Sequence, residues 1–128
     1  MVYRKTIFGR LKQAIMDVAW QQGSVTVRQV LGFLRPRHRV AYTTVMTVMN
    51  RLTEQGWLKR RPTTSGAFRY APTQSREAHA QAATRQEITT LIRQYGDLAL
   101  AQFLSTVDRI PAAKAQRLRH RLRTDRQP

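Results

Sequence analysis

The chain has 128 residues, no cysteine, and 23 Lys and Arg against seven Asp and Glu, for a formal net charge of +16. That length suits one domain, or one domain with a small appendage, and a hydrophobic content of 41% separates it from a disordered basic tail. The missing cysteines exclude disulfides, iron–sulfur clusters, thiol catalysis and cysteine-based zinc sites. The charge points to a polyanion, nucleic acid ahead of an anionic membrane surface.

The longest run without a charged side chain is Val40 to Asn50, far short of the ~20 apolar residues of a membrane span. The first ten residues carry no apolar core of a secretory signal. No membrane insertion and a cytoplasmic location are therefore expected.

Arg10 to Gln22 reads as a first helix, with Leu11, Ala14, Ile15, Val18 and Ala19 at helical spacing and Gly23 as its stop. Ser24-Val25 is a short extended piece. Thr26 suits the N-cap of a second helix, which puts Val27, Val30, Leu31 and Leu34 on one face. Arg35-Pro-Arg-His-Arg39 breaks it, because proline disfavours helical geometry in the residue before it. A third helix runs from about Ala41 to Gln55 and closes at Gly56.

Trp57–Arg61 and Ala67–Ala71 read as two strands around a Pro62-Thr-Thr-Ser-Gly66 turn, with Phe68 and Tyr70 as hairpin core. The order helix, short strand, helix, helix, hairpin is that of a winged helix-turn-helix, the hairpin being the wing. Ser75 caps a long helix to about Tyr95, Gly96-Asp97 breaks it, and Leu98 to about Val107 is short and apolar. Pro111 suits the first turn of a last helix, with Ala115, Leu118 and Leu122 on one side.

The fold class expected is therefore mainly α with a small β-hairpin. A proline interrupts the pattern at Ala71-Pro72-Thr73-Gln74. We accordingly divide the chain into a winged helix-turn-helix DNA-binding domain, 1–73, and a helical dimerisation domain, 74–128. The first carries thirteen bases and two acids, the second ten bases and five acids. Apolar faces on the later helices need a partner, and a second copy of the chain is the economical one. Ile88, Leu91, Ile92, Tyr95, Leu98, Phe103, Leu104 and Leu118 are the dimerisation candidates.

On a helical wheel of about 100° per residue, Val48, Met49 and Leu52 fall within about 60° of Val45 and form a buried stripe. Thr43, Thr47 and Asn50 lie opposite, with Thr44, Met46 and Arg51 on the flanks. A solvent face is normally rich in Glu and Lys. This one offers hydroxyls, an amide and a thioether, which suit base edges: methyl or Met against thymine methyl, Asn to adenine. Thr43, Thr44, Met46, Thr47 and Asn50 are the base-edge candidates. Tyr42, Arg51 and the wing cations Lys59, Arg60, Arg61 and Arg69 are the phosphate candidates. Alternatively, the wing cations are a solvated run that keeps edge strands from aggregating.

Trp20 and Trp57 read as core. His38, His79 and His120 form no ligand-spaced set, so no metal or cofactor is expected. Seven acids leave little for paired-carboxylate catalysis, and no P-loop, GxGxxG or GxSxG occurs. No enzyme is expected. A ligand-sensing winged-helix regulator and a sequence-blind nucleic-acid coat are the competing readings.

Four segments carry a family resemblance: Ile15-Met-Asp-Val-Ala-Trp20, Thr26-Val-Arg-Gln-Val30, Ala41-Tyr-Thr-Thr-Val-Met-Thr-Val-Met-Asn-Arg-Leu52 with Gly56, and Arg69-Tyr-Ala-Pro72. Over roughly Leu11 to Val107 the chain resembles the BlaI/MecI penicillinase-repressor family, most of all its actinobacterial branch. The resemblance implies a homodimeric winged-helix repressor with its third helix in the major groove of an inverted-repeat operator, often of TACA…TGTA type. It further implies induction by a β-lactam-triggered membrane sensor peptidase, with cleavage between Asn and Phe. The matching pair here is Gln102-Phe103, with glutamine where the family has asparagine. Met46 stands where some members carry a long polar or basic residue. The cysteine-rich, copper-responsive branch is excluded.

Overall fold

The computed structural model describes residues 7–126. Most of the stretch read for a secretory signal lies outside them. The elements are α1 (Ile7–Gln22), α2 (Val27–Leu34), α3 (Tyr42–Glu54), β1 (Leu58–Pro62), β2 (Phe68–Pro72), α4 (Arg76–Tyr95), α5 (Asp97–Asp108) and α6 (Ala112–Arg126). The expected class, mainly helical with one hairpin, is the one found. Two compact units divide the chain, Met1–Ala80 and Gln81–Pro128.

In the first unit the apolar stripes of three helices meet. Leu11, Ile15, Met16, Val18 and Ala19 of α1, Val27, Val30, Leu31 and Leu34 of α2, and Val45, Val48, Met49 and Leu52 of α3 are all buried, and Leu58 and Tyr70 close the core from the hairpin. No polar or charged residue is buried with them among the described residues.

Local chemistry sets each boundary. Thr26 builds a complete capping box: the Gln29 amide N–H donates to Thr26 Oγ1 (3.2 Å), and the Thr26 N–H donates to Gln29 Oε1 (3.0 Å). α3 ends in a Schellman motif. Trp57 N donates to Leu52 O at 2.9 Å and Gly56 N to Thr53 O at 3.1 Å, with Gly56 at φ +84°. A side chain at that φ is strained, although open space surrounds the missing Cβ.

β1 and β2 pair antiparallel, Leu58 opposite Pro72 and Arg60 opposite Tyr70. The extended Ser24-Val25 piece adds a bridge on the far side. Val25 N donates to Tyr70 O (2.9 Å) and Tyr70 N donates to Val25 O (2.7 Å). The hairpin is thereby fastened to the α1–α2 connection.

Phe68 departs from the sequence reading. Tyr70 is 2% exposed, but Phe68, two residues toward the turn, is 41% exposed. Both share one face of the strand, yet the core ends beneath Tyr70. Phe68 is covered instead by the Arg60 guanidinium, 4.5 Å above its ring.

Trp20 and Trp57 are partly buried against the core. Between them lies His79, 4.3 Å from the Trp57 ring and 5.4 Å from that of Trp20. Asp17 accepts from Arg76 Nη1 at 2.8 Å. Both partners are about half exposed, so this pair adds little stability.

The second unit holds the rest of α4 with α5 and α6. Ala99 is its one buried hydrophobic residue among those described. Pro111 stands just before α6 rather than in its first turn, and its carbonyl accepts from Ala115 N at 3.0 Å. Replacing Gly56 with alanine should cost about 1–2 kcal/mol, read as a lower urea midpoint at unchanged slope. An unchanged midpoint would contradict the Schellman closure.

Candidate nucleic-acid interface

α3 is amphipathic by composition, and burial of Val45, Val48, Met49 and Leu52 decides which side is free. Thr43, Thr47, Arg51, Met46 and Tyr42 are exposed, while Thr44 and Asn50 are half-buried. The five base-edge candidates thus lie off the buried stripe, as the wheel requires. The Thr47 hydroxyl donates to Thr43 O at 2.9 Å. Its lone pairs and methyl group stay available. Ala41 caps α3 without a side-chain hydrogen bond.

A cleft of about 420 Å³ opens between the start of α2, the outer face of α3 and the wing. Tyr42, Met46, Asn50, Arg60, Phe68 and Arg28 are among its lining residues. Two guanidiniums lie over aromatic rings at this cleft, Arg60 over Phe68 and Arg28 over Tyr42, the latter at 5.9 Å. Arg28 is not among the sequence candidates. Its signal is only a base at the start of the second helix, and nothing in the spacing ties it to Tyr42.

The four wing cations differ in how firmly they are held. Lys59 and Arg61 are exposed, and no hydrogen bond or ion pair ties their side chains to the described residues. Arg69 is half-buried. Its Nε donates to Ser24 Oγ at 3.0 Å and its Nη2 to Ser24 O at 2.9 Å, which joins the wing to the α1–α2 connection. Arg60 donates from Nη1 to Asn50 Oδ1 at 3.0 Å. Lys12, outside the wing, donates to Gln55 Oε1 at 3.1 Å and sits 4.5 Å over Trp57.

In the second unit, Ile88, Leu91, Tyr95, Leu98, Phe103, Leu104 and Leu118 are each at least 37% exposed, and Ile92 is half-buried. Leu91, Tyr95, Leu98, Gln102 and Phe103 line an apolar groove of about 390 Å³. Gln102 and Phe103 both lie within the helical span of α5. Among the described residues no group of three His, Asp or Glu gathers as a metal site. No helix among them is long and apolar enough to cross a membrane.

The penicillinase repressor family model matches residues 8–124. The chain belongs to that family. Two curated relatives, each named Transcriptional regulator BlaI and from Mycobacterium tuberculosis strains CDC 1551 and H37Rv, are 42% identical over 73 residues, 56% of this chain. The match spans about half, 52%, of each relative's length. Among solved structures, the solution structure of the DNA-binding domain of the repressor BlaI aligns with a TM-score of 0.48 at 20% identity, over 59% of this chain and 90% of that one. A mutant of Lactococcus lactis ZitR, in apo form, aligns with a TM-score of 0.47 at 15% identity, over 91% of this chain and 80% of that one. The matching family model is that of the penicillinase repressors, and both curated relatives carry the name of a transcriptional regulator.

The different anchoring of the cations predicts different costs. Arg69→Ala should lose about 1.5 kcal/mol of stability through its charged hydrogen bonds to Ser24, while Lys59→Ala should stay within about 0.5 kcal/mol of wild type. Urea unfolding of both variants decides; equal costs would contradict the assignment.

Proposed function

We propose that the protein is a dimeric, sequence-specific transcriptional repressor that lays α3 in the major groove of each half of an inverted-repeat operator. The observation that carries this reading is the outer face of α3. Thr43, Thr44, Met46, Thr47 and Asn50 offer methyl, thioether, hydroxyl and amide groups without a charge. Such a surface discriminates base edges, whereas cations mostly grip phosphate. Tyr42, Arg51, Lys59 and Arg61 flank it as phosphate contacts. Arg60 and Arg69 have further guanidinium N–H groups for the same purpose while they hold the wing.

DNA reading belongs to residues 1–73 and pairing to residues 74–128, a division that falls seven residues ahead of the boundary between the compact units at Ala80. The second unit buries almost nothing on its own and exposes a long series of large apolar residues, and a second copy would cover them. The same groove is the place a small hydrophobic effector would take under the ligand-sensing reading. A repressor works where the chromosome is, so the protein acts in the cytoplasm. A sensor-peptidase route would act at Gln102-Phe103, where a protease that takes extended chain must first open α5 locally.

Titration of an inverted-repeat duplex and a scrambled duplex at fixed salt tests the reading. Thr47→Glu should remove specific binding and lower the two affinities to a common value. Lys59→Ala should weaken both alike and reduce the salt slope by about one unit. Equal affinity of the wild-type chain for both duplexes would overturn the proposal.

A further inference from the structure

Asn50 has a second employment that its place on the α3 wheel does not reveal. Its Oδ1 accepts two hydrogen bonds from the wing: one from Arg60 Nη1 on β1 at 3.0 Å, the other from the Tyr70 hydroxyl on β2 at 2.9 Å. A guanidinium only donates, so the amide must turn its oxygen, not its nitrogen, toward Arg60. A carbonyl oxygen has two lone pairs, and these two donors take both.

The donors are themselves fixed. Tyr70 is 2% exposed, and its backbone is bonded in both directions to Val25. Arg60 lies over Phe68. One side-chain oxygen thus joins the middle of α3 to both strands of the hairpin.

We infer that Asn50, Arg60 and Tyr70 form a positioning node that sets the wing against α3 and couples the wing's phosphate contacts to base reading. This inference rests on the DNA-reading proposal above. Without the node, Lys59 and Arg61 sit on a hairpin that has lost its side-chain tie to the middle of α3, and ordering them on DNA costs affinity. With the node in place, Asn50 presents DNA only its amide N–H donors. The bidentate pairing with adenine needs an acceptor as well as a donor, so Asn50 selects for an acceptor such as purine N7 and not for adenine alone.

Tyr70→Phe tests the node in the full chain, because it removes one buried hydroxyl that cannot reach DNA. Operator affinity should fall about five- to tenfold, and the salt slope should drop by about one unit as the wing contacts loosen. Lys59→Ala added to Tyr70→Phe should then cost clearly less than it costs in the wild-type background. Should Tyr70→Phe fail to fold by circular dichroism, Asn50→Ser, which falls short of both donors, is read by its coupling to Lys59→Ala alone, because Asn50 is itself a base-edge candidate.

Wild-type affinity and slope in the folded variant, or strict additivity with Lys59→Ala, would overturn the node. Either result leaves the wild-type preference for the inverted repeat intact. Loss of that preference in the wild-type chain is the separate failure of the repressor reading.

Discussion

Everything in the first unit depends on one packing constraint: the stripe Val45, Val48, Met49 and Leu52 must face the core made by α1, α2 and the hairpin. Val45, Met49 and Leu52 are fully buried, and Val48 is 4% exposed. Burial of a side chain of this size is worth roughly 1.5–3 kcal/mol, so rotation of α3 about its axis is strongly opposed. Fixing the stripe fixes its opposite, and Thr43, Met46 and Thr47 are exposed because the core needs their neighbours. The surface proposed to read DNA is thus selected by the interior.

Charge and specificity then separate. The exposed cation Arg51 lies on α3 itself and the exposed cations Lys59 and Arg61 lie on β1, while Thr43, Met46 and Thr47 on the outer face of α3 are neutral. Phosphate attraction is insensitive to sequence and falls with salt, so in the proposed function it attaches the protein without choosing a site. On the same proposal, choice falls to short side chains whose geometry is held by the helix. The Schellman turn at Gly56 and the Val25–Tyr70 bridge matter for the same reason: they hold the hairpin where its cations are useful.

Much of this was legible in the sequence. Helical periodicity marked the three helices and their buried faces, Thr26 and Gly56 marked two boundaries, and the turn between Pro62 and Gly66 marked the hairpin. These signals are local, and each is set by residues a few positions apart. What escaped was long-range and polar. Arg69 with Ser24 is 45 residues apart, and Tyr70 with Asn50 is 20. No spacing rule brings such pairs together. Phe68 misled because strand alternation tells which face a side chain takes, not how far the core extends beneath it. His79 read as an isolated histidine and proves to be an aromatic partner of Trp20 and Trp57.

The central claim is that two copies of one neutral helix face choose the DNA site. Selection from a randomised duplex library by the full-length wild-type chain tests it most directly. The account predicts enrichment of an inverted repeat whose selected duplex binds roughly 10³-fold or more tighter than unselected DNA at the same salt. Recovery of sequences with no shared motif, bound no tighter than the starting pool, would contradict it.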